Sequence, residues 1–353
     1  MTIVLRVDPR DPQHDAIARA AQVIRAGGLV AFPTETVYGL GANGLDADAA
    51  ARIFEAKRRP ANDPLILHLA SAGQLADITV DVPSLAHALA DAFWPGPLTL
   101  VLRRGERVPG VVTSGGDSVA ARVPAHPVAH ALIAAARTPI AAPSANLFGR
   151  PSPTTADDVL EDLRGRIDLV LDGGPTTVGI ESTVLSLLGP QPVLLRPGGL
   201  SLERIEALVG PVLMPGEATV EEGQRAPAPG MLLKHYSPRA RLLYVLALEG
   251  GLPIAALRRE AVAALARGER LGLLLCDEAL SALADIPAER ASLGDCGDLA
   301  GVAARLFGAM RSLDRAGVDA ILTHGYGRAG LGRALDDRLF RAAEGRTIAS
   351  GER

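Results

Sequence analysis

Between residues 210 and 238 the chain loses every period. The stretch GPVLMPGEATVEEGQRAPAPGMLLKHYSP is dominated by proline, glycine and charge, and neither a helical nor a strand repeat of apolar residues runs through it. One layered core cannot be built across such a segment. The 353 residues therefore divide into a first domain over 1–209, a linker over 210–238 and a second domain over 239–353.

The two flanks have different textures. In the first, Ile17, Ala20, Ala21 and Ile24 recur at helical spacing and Gly27-Gly28 closes the helix. Residues 29–41 are apolar and β-branched around Pro33, and read as a strand that bends and continues. A helix with Asp46 as its N-cap follows. Strands are predicted at 65–69, 98–102, 118–123, 140–142, 169–171, 180–187 and 193–195. Helices are predicted at 84–93, 128–136, 155–163 and 202–209. The elements mix without strict alternation, which implies an α/β domain with one twisted mixed sheet and helices packed on it. The second flank alternates cleanly. LLYVLAL, LGLLLC and DAILTH are buried-strand runs, separated by helices near 255–266 and 299–316 and followed by one at 333–343, the pattern of a smaller, Rossmann-like parallel α/β domain.

Composition narrows the function. The formal net charge is −4, so a nucleic-acid role would need a local patch rather than a global field, and 3% aromatics is poor material for base stacking. Cys276 and Cys296 stand far apart without a CxxC, so neither a disulfide framework nor a zinc site follows from them. The first residues lack an apolar run of signal-peptide length and no run reaches membrane-spanning length. The expectation is a cytoplasmic protein without a membrane partner. Two stretches fit G-x-G-x-x-G, at Gly39-Gly41-Gly44 and Gly325-Gly327-Gly330, but the first opens no clean helix and too little chain follows the second. No P-loop is present. His324 and Tyr326 in THGYGR read as a turn after a strand, or as a regulatory or subunit contact.

The polar residues fall at strand ends. Lys57-Arg58-Arg59 sits in a last helical turn stopped by Pro60, where cations complement the helix dipole. Ser118, Ala120 and Arg122 share one face of a strand, and an arginine there needs an anion or solvent. Ser144, Asn146, Arg150 and Ser152 lie among small residues that let a ligand approach the backbone. Glu181, Ser182 and Thr183 interrupt an apolar run and need partners. Arg196 precedes a Pro-Gly-Gly turn, and Lys234, His235 and Tyr236 end the linker. Guanidinium and ammonium groups with short hydroxyls, and no metal cage, suit a triphosphate that carries its own Mg²⁺.

The motifs PTETVYGLG, AKRRPANDPLILH, WPGPLTLVL, VAARVPAHP, APSANLFGRPSPT, GIESTVL and LLRPGG, in this order, resemble those of the YrdC-like threonylcarbamoyl-AMP synthases. APGMLLKHYSP and the second domain resemble the longer, two-domain members. The resemblance implies a nucleotidyltransferase: L-threonine, bicarbonate or CO2 and ATP give L-threonylcarbamoyladenylate and pyrophosphate around a cationic cavity, with Mg²⁺ carried by ATP. The product passes to a separate tRNA threonylcarbamoyltransferase for tRNA processing beside the anticodon. Direct tRNA binding is not required. By the same resemblance Lys57, Arg59, Ser144 and Asn146 are catalytic. Thr36, His68, Arg122, Ala142 and Ser182 form the threonine pocket, with Arg122 on the carboxylate. Arg59, Asp63, Ser118, Ser144, Ser152 and Arg196 contact ATP, and His235 and Tyr236 close over it from a linker that acts as a lid. Asp63 stands where relatives carry asparagine directly before PLI, so its carboxylate is expected to face ribose, base or Mg²⁺. A competing reading is an RNA-binding module with a basic concave surface, which the net charge disfavours.

Overall fold

The computed structural model describes residues 1–214, 235–246 and 251–350. The greater part of the linker, with Lys234 and the expected lid, lies outside the described residues. Two compact units are present. One holds residues 1–148 and 152–214 of the described chain; the other holds Gly149–Pro151 and the described residues from His235 onward.

Among the described residues of the first unit, ten strands form one mixed sheet. They are β1 (Ile3–Arg6), β2 (Val30–Phe32), β3 (Gly39–Asn43), β4 (Ile66–His68), β5 (Leu98–Arg103), β6 (Ser118–Arg122), β7 (Ile140–Ala141), β8 (Leu169–Asp172), β9 (Thr183–Ser186) and β10 (Val193–Arg196). Their order across the sheet is β1-β8-β2-β3-β7-β4-β6-β5-β9-β10. The run 29–41 is not one bent strand. β2 and β3 pair antiparallel, with Ala31 opposite Leu40. The cause is local: Pro33 has no N–H to extend the ladder, and the Thr34 hydroxyl accepts the N–H groups of Thr36 and Val37, which turns the chain back. Gly41 completes the reversal, because a Cβ there would lie 2.7 Å from the Phe32 ring. β9 is also shorter than predicted, and Glu181 and Ser182 precede it.

The period-2 alternation of the strands separates two faces. Leu40, Leu67, Leu100, Val119, Ala121 and Leu185 join the large core. On the opposite face, Val30, Phe32, Ile140, Leu169 and Leu171 pack beneath helices His14–Arg25 and Pro127–Ala136. Farther along, at β4, β5, β6 and β9, a small apolar group holds Ile66, Val101, Ala120 and Val184. His68, Arg122, Thr99 and Ser182 are two residues from these in sequence and so share their face.

In the second unit, β11 (Arg241–Val245), β12 (Leu271–Leu275), β13 (Glu289–Ser292) and β14 (Ala320–His324) form an all-parallel sheet in the order β11-β14-β12-β13. This is the expected small parallel α/β arrangement. The edge strand β13 carries the sequence ERAS, with three exposed residues, and has no apolar signal from which to predict it. Cys276 and Cys296 are joined in a disulfide, with their Cα atoms 5.3 Å apart. Sequence distance conceals the pairing because adjacent parallel strands bring their following loops together. Among the described residues, no helix is long and apolar enough to cross a membrane.

Candidate active site

The three adjacent cations at 57–59 diverge because the helix ends between them. Helix Ala47–Lys57 starts at Asp46, whose side chain accepts from the N–H groups of Asp48 and Ala49. Arg58 is its C-cap in the left-handed conformation, with φ 54°, and it is exposed. That reversal sends its neighbours inward: Lys57 is 1% exposed and Arg59 7%. Lys57 Nζ donates to the carbonyl oxygens of Ser144 and Asn146, both at 2.5 Å. The Ser144–Asn146 loop is thus held by a buried ammonium. Arg59 donates to the carbonyls of Asp63 and Pro64, and its Nη2 lies 2.9 Å from Asp63 Oδ2. Asp63, expected to face ribose, base or Mg²⁺, is fully buried with this carboxylate oxygen on Arg59.

A second group gathers on the sheet face beside Ile66, Val101, Ala120 and Val184. His68 and Arg122 are register partners in parallel strands β4 and β6. Arg122 Nε donates to His68 Nε2 at 3.1 Å, and His68 Nδ1 lies 3.3 Å from the Ile66 carbonyl. Burial, and then the neighbouring Arg122 charge, hold the His68 pKa well below its usual 6.5. Arg122 is 2% exposed. Burial lowers its pKa, Glu35 opposes that, and the nearby Arg196 charge adds to it. Glu35 Oε1 lies 3.5 Å from Arg122 Nη1, and Glu35 Oε2 accepts the Ala125 N–H.

Ser182 ties the group to the next strands. Its hydroxyl is 2.8 Å from that of Thr99, and Arg196 donates to its carbonyl at 2.9 and 3.2 Å. Thr36 is buried with its hydroxyl 2.8 Å from that of Thr34. Ala142 bonds to the Ile66 carbonyl, which places it beside β4. Ser152 is buried and donates to Glu181 at 2.5 Å. Ser118 opens β6, half-buried, on the same face as Arg122. A cleft of about 730 Å³ is lined by Glu35 together with Arg6, Arg10, His126 and Asp172.

The structure therefore joins His68, Arg122, Arg196 and Ser182 in one cluster, Lys57 with Ser144 and Asn146 in another, and Arg59 with Asp63 in a third. His235 and Tyr236 belong to the second unit. There the Tyr236 ring stacks on Phe307 at 5.5 Å, beneath the Arg338 guanidinium at 5.1 Å. Glu35, Thr99 and Glu181 were absent from the predicted site set. The signal for the carboxylates was present in the sequence: each interrupts an apolar run and needs a buried partner.

A cationic, hydroxyl-lined set of this kind can hold a carboxylate and phosphates. The family model described as "Telomere recombination" matches residues 22–198, and that described as "Threonylcarbamoyl-AMP synthase, C-terminal domain" matches residues 200–344. The threonylcarbamoyl-AMP synthase of Pyrococcus abyssi is 47% identical over 352 residues, covering 99% of each chain. That of Bacillus subtilis is 45% identical over 341 residues, covering 96% of this chain and 95% of its own. The crystal structure of P. abyssi Sua5 complexed with L-threonine superposes with a TM-score of 0.91 at 45% identity, covering 99% of both chains. With both of its halves matched by these models and its full length shared with such relatives, the chain belongs to the threonylcarbamoyl-AMP synthase family and is an enzyme of the nucleotidyltransferase type.

Proposed function

We propose that the chain makes L-threonylcarbamoyl-AMP from L-threonine, bicarbonate or CO2 and ATP, and that the product serves threonylcarbamoyladenosine formation in tRNA by a separate transferase. The observation that carries the reading is the buried Arg122, hydrogen-bonded to neutral His68 on one side and facing the Glu35 carboxylate at 3.5 Å on the other. A guanidinium so placed is a ready partner for an amino-acid carboxylate. Thr36, Ser182 and the Ala142 backbone would surround the rest of threonine. The amine, on taking up CO2 and losing a proton, becomes a carbamate. One carbamate oxygen then bonds to the α-phosphorus of ATP, the bond to the β-phosphate bridging oxygen breaks, and pyrophosphate leaves.

Arg59, Ser118, Ser144, Ser152 and Arg196 would contact the nucleotide, with Lys57 and Asn146 shaping the loop between the two substrates. Positioning and fixed positive charge are the means of catalysis here, since the leaving group gains charge as it departs. Mg²⁺ would travel on the phosphates: Asp63 and Glu35 are each engaged by an arginine. His235 and Tyr236 remain proposed ATP contacts. The test is pyrophosphate release from ATP and Mg²⁺, measured with and without threonine and bicarbonate, with the product identified by mass. Release that ignores threonine would overturn the reading. RNA affinity that falls steeply with salt, without synthesis, would favour the binding module.

A further inference from the structure

The second unit contains a donor set that the synthesis does not use. Cys276, Cys296 and His324 present two sulfurs and one ring nitrogen within 4.8 Å of one another. Each follows or ends a strand of the parallel sheet. Cys276 comes directly after β12, His324 is the last residue of β14, and Cys296 lies in the loop after β13. The set thus sits at the carboxyl ends of the strands, where open α/β sheets hold their ligands.

Three features suit it to a metal ion. First, His324 Nδ1 lies 2.8 Å from the Gly325 carbonyl, which fixes the proton on Nδ1 and leaves the Nε2 lone pair facing the sulfurs. Second, Cys276 Sγ is 3.4 Å from His324 Nε2. A tetrahedral ion with sulfur at ~2.3 Å and nitrogen at ~2.0 Å sets that edge at about 3.5 Å. Third, the backbone is locked around the set. The Leu293 N–H donates to the Leu275 carbonyl, the Asp277 N–H to the Gly294 carbonyl, and Ser292 Oγ to Asp277. The Glu278 carboxylate accepts the Cys296 N–H. Cys276 and His324 are buried, and Cys296 is half-buried.

We propose that, in its dithiol form, the second unit binds one Zn²⁺ through Cys276 Sγ, Cys296 Sγ and His324 Nε2, with a fourth position for water or a further oxygen ligand. Two thiolates and an imidazole are the donor types that select this ion. A dithiol reductant supplies the disulfide with two electrons and two protons and becomes a disulfide itself; a phosphine supplies the two electrons and becomes the phosphine oxide, with water giving the two protons and the oxygen. Zn²⁺ then displaces both thiol protons to solvent. Oxidation and metal binding exclude each other, because the same sulfur electron pairs serve both.

The test uses the untagged full chain, reduced with a phosphine, freed of metal by a chelator and titrated anaerobically with Co²⁺. The expected result is one equivalent bound with a sulfur-to-cobalt charge-transfer band and tetrahedral visible bands, both abolished by equimolar Zn²⁺. Cys296→Ser, at the half-buried position, and His324→Asn should each weaken Zn²⁺ by more than the ~10–100-fold that outer-shell changes cost. Thermal unfolding confirms that the variants are folded. Titratable thiols with only the spectrum of hydrated Co²⁺, a disulfide reducible only on unfolding, or a signal that survives in both variants would each overturn the proposal.

Discussion

Arg122 Nε donates to His68 Nε2 across 3.1 Å, so the imidazole must be neutral for the pair to exist as it stands. A proton on Nε2 would remove the acceptor and set one positive charge against another. Burial and Arg122 both lower the His68 pKa from 6.5. Between that lowered value and 6.5 the unfolded chain binds one proton more than the native chain. Stability is therefore full above 6.5 and lost as the pH falls through that window, at up to about 1.4 kcal/mol per pH unit for one proton. His126 and His324 are shifted in the same direction by burial, so the whole chain should show a steeper slope than one group provides. Denaturant unfolding from pH 7.5 to 5 should show a shallower slope in His68→Asn than in the parent. Equal slopes would mean that His68 does not stay neutral in the native state.

The 57–59 triplet offers an internal contrast. Arg58 is exposed at φ 54°, so Arg58→Gly should be neutral or stabilise by up to ~1 kcal/mol, because glycine meets no Cβ penalty there. Arg59→Ala leaves the buried Asp63 carboxylate without its 2.9 Å ion-pair partner, and should cost about 3–5 kcal/mol. Lys57→Ala should destabilise less but lower synthesis by on the order of 10²-fold, through the lost hold on the Ser144 and Asn146 carbonyls. Chemical unfolding and pyrophosphate assays on the three variants separate these outcomes. Similar, small effects at all three positions would restore the simple helix-dipole explanation.

Gly198 sets the approach of the Arg196 turn to the segment that carries Ser182. A Cβ at Gly198 would lie 2.4 Å from the Glu181 carbonyl oxygen and from backbone atoms of Ser182 and Thr183. Those neighbours are backbone and cannot swing aside. Gly198→Ala should destabilise by ~1–3 kcal/mol or more and displace Arg196 from the Ser182 carbonyl. Steady-state kinetics should show KM for ATP and threonine raised in the folded fraction. Unchanged stability and KM would show that the turn relaxes freely.

Helices were legible where apolar spacing and caps agreed. Asp46 and the Ile17–Ile24 stripe placed theirs within two residues. Buried runs such as LGLLLC were equally plain as strands. The reversal at Pro33 was not, because apolar residues on both sides of a turn look like one strand until the Thr34 hydroxyl bonds are known. The polar residues of the candidate site stood out by interrupting apolar runs. Their pairing did not: Glu35 and Arg122 are 87 positions apart, and the turn between β2 and β3 meets the end of β6 only in the folded chain, where Glu35 also accepts the Ala125 N–H. The Cys276–Cys296 pair was hidden for the same reason.

Glu35 offers a test of how Arg122 is held before substrate arrives. Its Oε1 stands 3.5 Å from Arg122 Nη1, beyond ordinary hydrogen-bond length, while its Oε2 is fixed by the Ala125 N–H. The carboxylate thus offsets the buried guanidinium without gripping it, and a substrate carboxylate can take a closer place. In Glu35→Gln the guanidinium is buried without that charge, and the free protein should lose stability on the scale of a broken buried pair, about 3–5 kcal/mol at most. Threonine would then supply the missing negative charge. The thermal shift produced by saturating threonine should therefore be larger in Glu35→Gln than in the parent, even though the free variant melts lower. Glu35→Asp should fall between the two. A smaller threonine shift in Glu35→Gln would reverse the assignment and make Glu35 a group that positions Arg122 for the substrate.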